Sequence, residues 1–425
     1  MKPQRIAVIG AGIVGVATAR ALVEDGHAVT VLERRGSLAA EGSFAPAGLL
    51  APGALALGGP VASLVDPPPV PGLAGRWQRW RATREGRTQR RREQMARLAL
   101  ESQAVLGRWF DREALPYEHS AGVGLRIADE AGRARLEAAL AAQPLAAAGS
   151  RFLDREAWRA GEPDLAPDAP GSGLLFWPGA EMVNVRQIAQ QLREQAEARG
   201  ARFLFGIEVQ AVEPGRPLTL HWLEQDTHNH GSPAGARPGG RSPAPPERSA
   251  PPPRQFDAVV LCSGAAAPLL PGPALPLVRE AGLSLTLPLR DPDRGPVRGL
   301  IDADGALMIA RLGDRLRVAG LWHRPTGDGQ PPKALVERLY RAAQRDFPSV
   351  TQTDRGQIWA GIHLGFADGL PRIGASESPG LWLNLGHGRA GWALACGSAQ
   401  RLADALAGRD PAGRHAADAL SAAAA

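Results

Sequence analysis

Arg5-Ile-Ala-Val-Ile-Gly10-Ala-Gly12-Ile-Val-Gly15, continued by an Ala/Val-rich run to Glu24 and by Ala28-Val-Thr-Val-Leu32-Glu33, decides how this chain is read. A short apolar run, a glycine turn, an apolar helical run and a second apolar run spell strand, turn, helix, strand. The three glycines have separable duties in that context. Gly10 makes the tight turn, Gly12 lets backbone approach a pyrophosphate, and Gly15 lets the helix pack closely on the strand. The pyrophosphate then sits on the helix N-terminus, where free N–H groups point outward. Glu33 ends the second strand and is placed to accept hydrogen bonds from a ribose diol, which argues against a 2′-phosphate and so against NADP. The fingerprint alone leaves NAD and FAD both open.

Outward from this unit the chain divides. A Gly/Pro/Ala stretch from Gly42 to Gly75 reads as too broken for regular elements, and a helical pattern then runs from about Trp77 to Phe110. Residues 184 to 198 form an amphipathic helix, followed by strands at 202–205 and 208–212 where parallel pairing is expected to resume. Asp226 to Arg254 holds twelve Pro or Gly in 29 residues, too little apolar surface to offset its ordering entropy, and is expected to be a disordered insertion without catalytic part. Strands are expected at 256–261, 283–286, 307–309, 316–321 and 381–384, with helices at 333–347 and from Gly388 to Ala407.

Composition bounds the rest. The 425 residues suit two domains, and 44% apolar with 22% charged residues suits a packed core. No run of about 18 apolar residues is present, and the amino terminus enters its first strand without a leader-like segment, so a cytoplasmic chain is expected. Cys262 and Cys396, both in apolar small-residue segments, read as buried thiols. The net charge is +6, with nine arginines between Arg76 and Arg97 interleaved with Trp77 and Trp80. That run reads as a solvated helix face, with peripheral contact to an anionic membrane through 76–97 as its functional alternative; no nucleic-acid-binding motif accompanies it. His228 and His230 lack a cluster of further ligands, and no metal site is expected.

Later segments carry a family resemblance. Ser43-Phe-Ala-Pro-Ala47-Gly48 follows Glu33-Arg34 as the flavin-flanking segment does in the D-amino acid oxidase superfamily, with Pro46 where that family has asparagine. Asp257-Ala-Val-Val-Leu-Cys-Ser-Gly264 is similar to the strand and glycine turn that close over the dinucleotide, and Val209 to the strand that meets the adenine. Trp359-Ala-Gly361, Asp368-Gly-Leu-Pro371, Ile373-Gly374 and Gly386-His387-Gly388-Arg-Ala-Gly391 resemble the flavin-end signature in order and spacing. Within the superfamily the chain resembles D-amino acid dehydrogenases.

The resemblance implies an α/β architecture: a discontinuous, doubly wound FAD-binding domain (1–75, 180–272 and 355–425) carrying a mixed-sheet α+β substrate domain (76–179 and 273–354). It implies noncovalent FAD held by Gly10, Gly12, Gly15, Glu33, Arg34, Ser43, Ala47, Gly48, Val209, Gly264, Gly386, His387, Gly388 and Gly391. The implied reaction is hydride transfer to flavin from a D-amino acid or related amine, with quinone or oxygen as electron acceptor. One departure bears on the substrate. His363 stands where many members have an arginine that clamps the substrate carboxylate, and a neutral imidazole does not replace it. Arg389 and Arg311 are the candidate compensations, so the substrate set is Arg389, Arg311 and His363, with no side-chain base assigned. The alternatives are a glycine- or sarcosine-oxidase-like amine oxidase, an NAD-linked dehydrogenase sharing only the fingerprint, and a flavin-binding protein with weak or lost catalysis.

Overall fold

A computed structural model describes residues 2–58, 85–110, 117–224, 254–263, 275–325 and 330–409. Its first sheet has six strands in the order Arg372–Ala375, Leu381–Leu385, Ala258–Leu261, Arg5–Ile9, Ala28–Glu33, Arg202–Phe205. All neighbours pair in parallel except Arg372–Ala375, which runs antiparallel to Leu381–Leu385. Arg5–Ile9 lies inside this sheet with Ile6 to Ile9 buried, which is why it reads as a continuous apolar run and not as an alternation. Helix Ile13–Glu24 is buried along most of its length because it packs against both Gly391–Leu406 and Val185–Glu197.

The expectation of parallel pairing beyond residue 202 holds for one strand only. Arg202–Phe205 joins the parallel sheet, whereas Ile207–Glu213 turns away into a separate antiparallel sheet with Leu218–Glu224 and Gln255–Phe256. Gly206, at φ +71°, makes the break between them.

A nine-stranded sheet faces the first. Its order is Gln357–Phe366, Leu277–Pro288, Arg315–His323, Leu307–Leu312, Gly299–Asp302, His119–Ile127, Gly173–Val183, Leu49–Leu50, with Arg151–Asp154 also paired to Gly173–Val183. Pairing is antiparallel apart from Gly299–Asp302 with His119–Ile127, so the sheet is mixed. Helix Lys333–Asp346 covers its outer face through Leu339, Ala342 and Ala343. Three of its segments, 49–50, 180–183 and 357–366, come from stretches expected in the nucleotide unit, so the chain crosses between the sheets more often than the sequence suggests. The stretch after Gly42 also contains a short helix, Pro52–Leu57, that the sequence reading did not expect. The arginine-rich helix spans Glu85–Trp109. Residues 226–253 of the expected insertion, with His228 and His230, lie outside the described residues, as do 76–84 and Gly264.

Candidate functional site

One cleft runs from the glycine turn, across the carboxyl ends of the parallel strands, to the inner face of the nine-stranded sheet. At its first end Gly10 has φ +105°, and a β-carbon there would stand 3.1 Å from the carbonyl oxygen of Cys262. A β-carbon on Gly15 would overlap the carbonyl oxygen of Gly10. Gly12 differs: a β-carbon would meet only Ser43 Oγ, at 3.4 Å, and otherwise open space in the cleft. Two glycines are therefore fixed by protein packing, and the third keeps room for a ligand.

Glu33 lines this end and also braces it. Its Oε2 accepts the Ala11 N–H at 2.7 Å and its Oε1 the Arg35 N–H at 2.8 Å. Burial raises its pKa, with these two hydrogen bonds opposing. Arg34 lines the cleft with its guanidinium held by Glu41 at 3.0 Å. Ser43 Oγ accepts the N–H of Ile13, capping the helix from the side. Gly48, at φ +72°, lies so close to Gly173–Val183 that a β-carbon would overlap the Val183 carbonyl oxygen. The Ser43–Gly48 segment is thus wedged between helix and second sheet, with Ala47 and Val209 also in the cleft wall.

The sheet end is aromatic. Trp359 stacks on Phe44 with ring centroids 4.2 Å apart, and Trp322 meets His363 edge-on at 4.8 Å. Burial pushes the His363 imidazole down to about 4, opposed by a hydrogen bond to the Gly388 backbone and reinforced by the nearby Arg389 charge. Arg389 lines the same end, held by Glu280 through a fork: Nε donates to Oε2 at 2.9 Å and Nη2 to Oε1 at 2.6 Å. The Arg389 guanidinium also lies 5.0 Å from the Trp322 ring centroid.

Arg311 does not line the cleft, which corrects the sequence expectation. Successive residues of a strand face opposite sides. On Leu307–Leu312, Met308 faces the cleft, whereas Leu307 and Ile309 join the core under helix Lys333–Asp346. Arg311 is in phase with the latter, and its Nη1 donates to the Pro292 carbonyl at 3.0 Å. On the face of the sheet that carries Met308, behind the cleft wall, Arg317 lies across the ladder from Ala310. It is buried, bonded to Thr286 Oγ1 at 3.3 Å and to the Pro46 carbonyl at 3.4 Å, and burial pushes it down to about 10. Sequence reasoning missed both Arg317 and Glu280. The flanking apolar Leu316 and Val318 mark Arg317 as facing the other way, but nothing local marks Glu280.

Gly386 and Gly388, at φ +81° and +55°, turn the chain into helix Gly391–Leu406, whose first turn borders the cleft. Among the described residues no cluster suited to a metal ion is present, and no helix is long and apolar enough to cross a membrane.

A family model described as FAD dependent oxidoreductase matches residues 5–405. The chain belongs to that family. It is 32% identical to D-amino acid dehydrogenase 2 of Pseudomonas aeruginosa, with 96% of each chain covered. It is 29% identical to a D-amino acid dehydrogenase of Paramagnetospirillum magneticum, with 95% of each covered. Among solved structures, glycine oxidase from Geobacillus kaustophilus matches at TM-score 0.68 and 19% identity, covering 96% of each chain. L-alpha-glycerophosphate oxidase from Mycoplasma pneumoniae with FAD bound matches at TM-score 0.66 and 14% identity, covering 96% of this chain and 95% of that one. At these identities the structural likeness shows the fold.

The cleft of this FAD-dependent oxidoreductase fits its cofactor. Four buried side-chain atoms without a hydrogen-bond partner, Ser263 Oγ, Trp322 Nε1, Asn384 Oδ1 and Trp392 Nε1, belong to residues that line it. Buried polar atoms normally have partners, and a dinucleotide in the cleft would provide them. Gly12 leaves room for a pyrophosphate, Glu33 would meet a ribose, and the first turn of Gly391–Leu406 would present N–H groups to the ring end. His387, beside that turn, is pushed down to about 3 by burial, and its Nε2 lies 3.0 Å from Ser398 Oγ. The Ser398 hydroxyl donates to the Ala395 carbonyl, so Nε2 carries the imidazole proton.

Proposed function

We propose that this chain oxidises a D-amino acid or a related amine at its C–N bond, the imine product hydrolysing in water. The observation supporting this reading is the continuity of the cleft from the glycine turn to the aromatic face of the nine-stranded sheet, which leaves room for a substrate beyond a dinucleotide. FAD, when bound there, supplies the two-electron acceptor that takes the hydride of the reacting carbon. The first turn of Gly391–Leu406 biases that end toward negative charge. Trp322 and Trp359, the latter backed by Phe44, would exclude water from the reacting carbon. No strong side-chain base is required when the amine binds neutral, and among the described residues His363 and His387 are the imidazoles in the cleft wall, both held neutral by desolvation.

The substrates named for the relatives, D-amino acids and glycine, support the reaction class. Reoxidation by a quinone or by oxygen belongs to the same reading, as does contact of residues 76–97 with an anionic membrane. The test is a visible spectrum of the purified protein, followed by anaerobic bleaching with D-amino acids, glycine, sarcosine, proline analogues and simple amines. Bleaching by at least one of them is expected. A yellow protein that none of them bleaches overturns the reading and leaves a flavin-binding protein without amine chemistry. Mixing the reduced protein with oxygen or with a soluble quinone then identifies the acceptor.

A further inference from the structure

We propose that Glu280 sets the substrate class by neutralising Arg389, so that the sheet end of the cleft takes an amine with apolar or aromatic substituents on its reacting carbon and no free carboxylate. This rests on the reading above and narrows it to the related amine. The cations in the cleft wall, among the described residues, are Arg34 at the dinucleotide end and Arg389 at the sheet end. Arg389 gives two nitrogens to Glu280 in a fork, and both side chains are only 9% exposed. In such a poorly solvated place a second carboxylate on the same guanidinium would stand close to Glu280 and be repelled. Trp322 covers a face of the guanidinium as well.

His363 does not supply the missing charge, because its burial keeps it neutral. Its position is informative for another reason. Glu280 stands directly opposite His363 in the antiparallel ladder of Leu277–Pro288 with Gln357–Phe366. Residues opposite each other share a face of the sheet, so Glu280 lies beside both places where a carboxylate-clamping arginine is expected. What remains for a substrate to touch is the Trp322 ring, lying 2.5 Å from where a Gly282 β-carbon would be, with Trp359, Met308 and Leu364. That wall suits an apolar or aromatic body.

The experiment titrates the flavin-loaded protein with phenylacetate and with phenylacetamide, its uncharged counterpart, and follows the flavin difference spectrum. It reads binding and needs no turnover. The amide is expected to bind at least about tenfold more tightly, the effect of one charge-assisted contact. Glu280→Gln should reverse the preference by about the same factor, and Glu280→Gln with Arg389→Gln should restore the original order. Turnover of 2-phenylethylamine relative to D-phenylalanine should shift in the same directions. Tighter binding of phenylacetate to the unmodified protein overturns the proposal, as does a Glu280→Gln protein with unchanged preference. The unmodified protein decides the matter even if Glu280→Gln fails to load flavin. A protein that discriminates the two ligands as expected but is bleached by no amine would sink the assigned reaction and leave the role of Glu280 standing.

Discussion

Glu33 Oε2 and the Ala11 N–H lie 2.7 Å apart, so the carboxylate expected to meet a ribose also ties the second strand to the glycine turn. Glu33→Gln replaces one acceptor oxygen with an amide NH2, a donor only, and removes the charge. Each lost charge-assisted bond is worth about 1.5 to 3 kcal/mol. The expected outcome is weaker FAD binding together with a lower melting temperature of the flavin-free protein. An unchanged flavin-free melting temperature would mean that the carboxylate serves the ligand alone.

Gly12 and Gly15 should fail in different ways. Gly12→Val projects into open cleft and should give a folded, colourless protein. Gly15→Ala drives a methyl group into the Gly10 carbonyl oxygen and should reduce folded yield whether or not FAD is supplied. Circular dichroism and flavin absorbance separate the two outcomes, and a flavin-loaded Gly12→Val protein would remove the case for pyrophosphate at that glycine.

Arg311 and Arg317 lie on opposite faces of one sheet. Arg311→Leu loses a bond to the Pro292 carbonyl and should leave flavin content and substrate KM unchanged, with stability altered by about 1 kcal/mol or less. Arg317→Met releases Pro46 and Thr286 behind the Ser43–Gly48 segment, and its FAD Kd should rise about tenfold. A raised KM in Arg311→Leu would contradict the strand register.

Glu162 predicts a pH dependence. Its carboxylate accepts the Val297 and Arg298 N–H groups at 2.7 and 2.9 Å, and burial raises its pKa from 4.5 to about 7. Between those values the folded protein keeps a proton that the unfolded chain has lost. Stability therefore falls as pH rises through this window, by about 3 kcal/mol in all, and the loss is complete above about pH 7. Melting temperatures across this range should slope downward and should flatten in Glu162→Gln. Equal slopes in the two proteins would remove Glu162 from the account.

Acid precipitation should release all the flavin. Cys262 lines the cleft, but burial pushes its thiol up to about 12 and its Sγ lies 3.7 Å from Thr18 Oγ1, so no thiolate is available for a covalent link. His387 is engaged with Ser398. Colour retained in the pellet would point to one of them.

The nucleotide end was legible because its signals are local. Gly10 to Gly15 with Glu33, and Gly386 to Gly391, each carry their meaning within a few dozen residues. The sheet end was less so. Whether Arg311 or Arg317 faces the cleft depends on strand register, and a slip of one residue reverses the answer. The partner of Arg389 is 109 residues away, and no local pattern announces such a pairing. Likewise Gly206 ends the parallel run at a bend that its neighbours in sequence do not advertise.

Leu49–Leu50 and Gln357–Phe366 belong to the nine-stranded sheet although the strands nearest them in sequence, Ala28–Glu33 and Arg372–Ala375, belong to the parallel one. The polypeptide is therefore laced through both halves like a stitch through two layers of cloth, and neither half is a contiguous piece that a protease or a cloning boundary would free intact. Loosening either layer pulls on the other, which ties the melting of the aromatic sheet to the loss of the bound dinucleotide in one cooperative event.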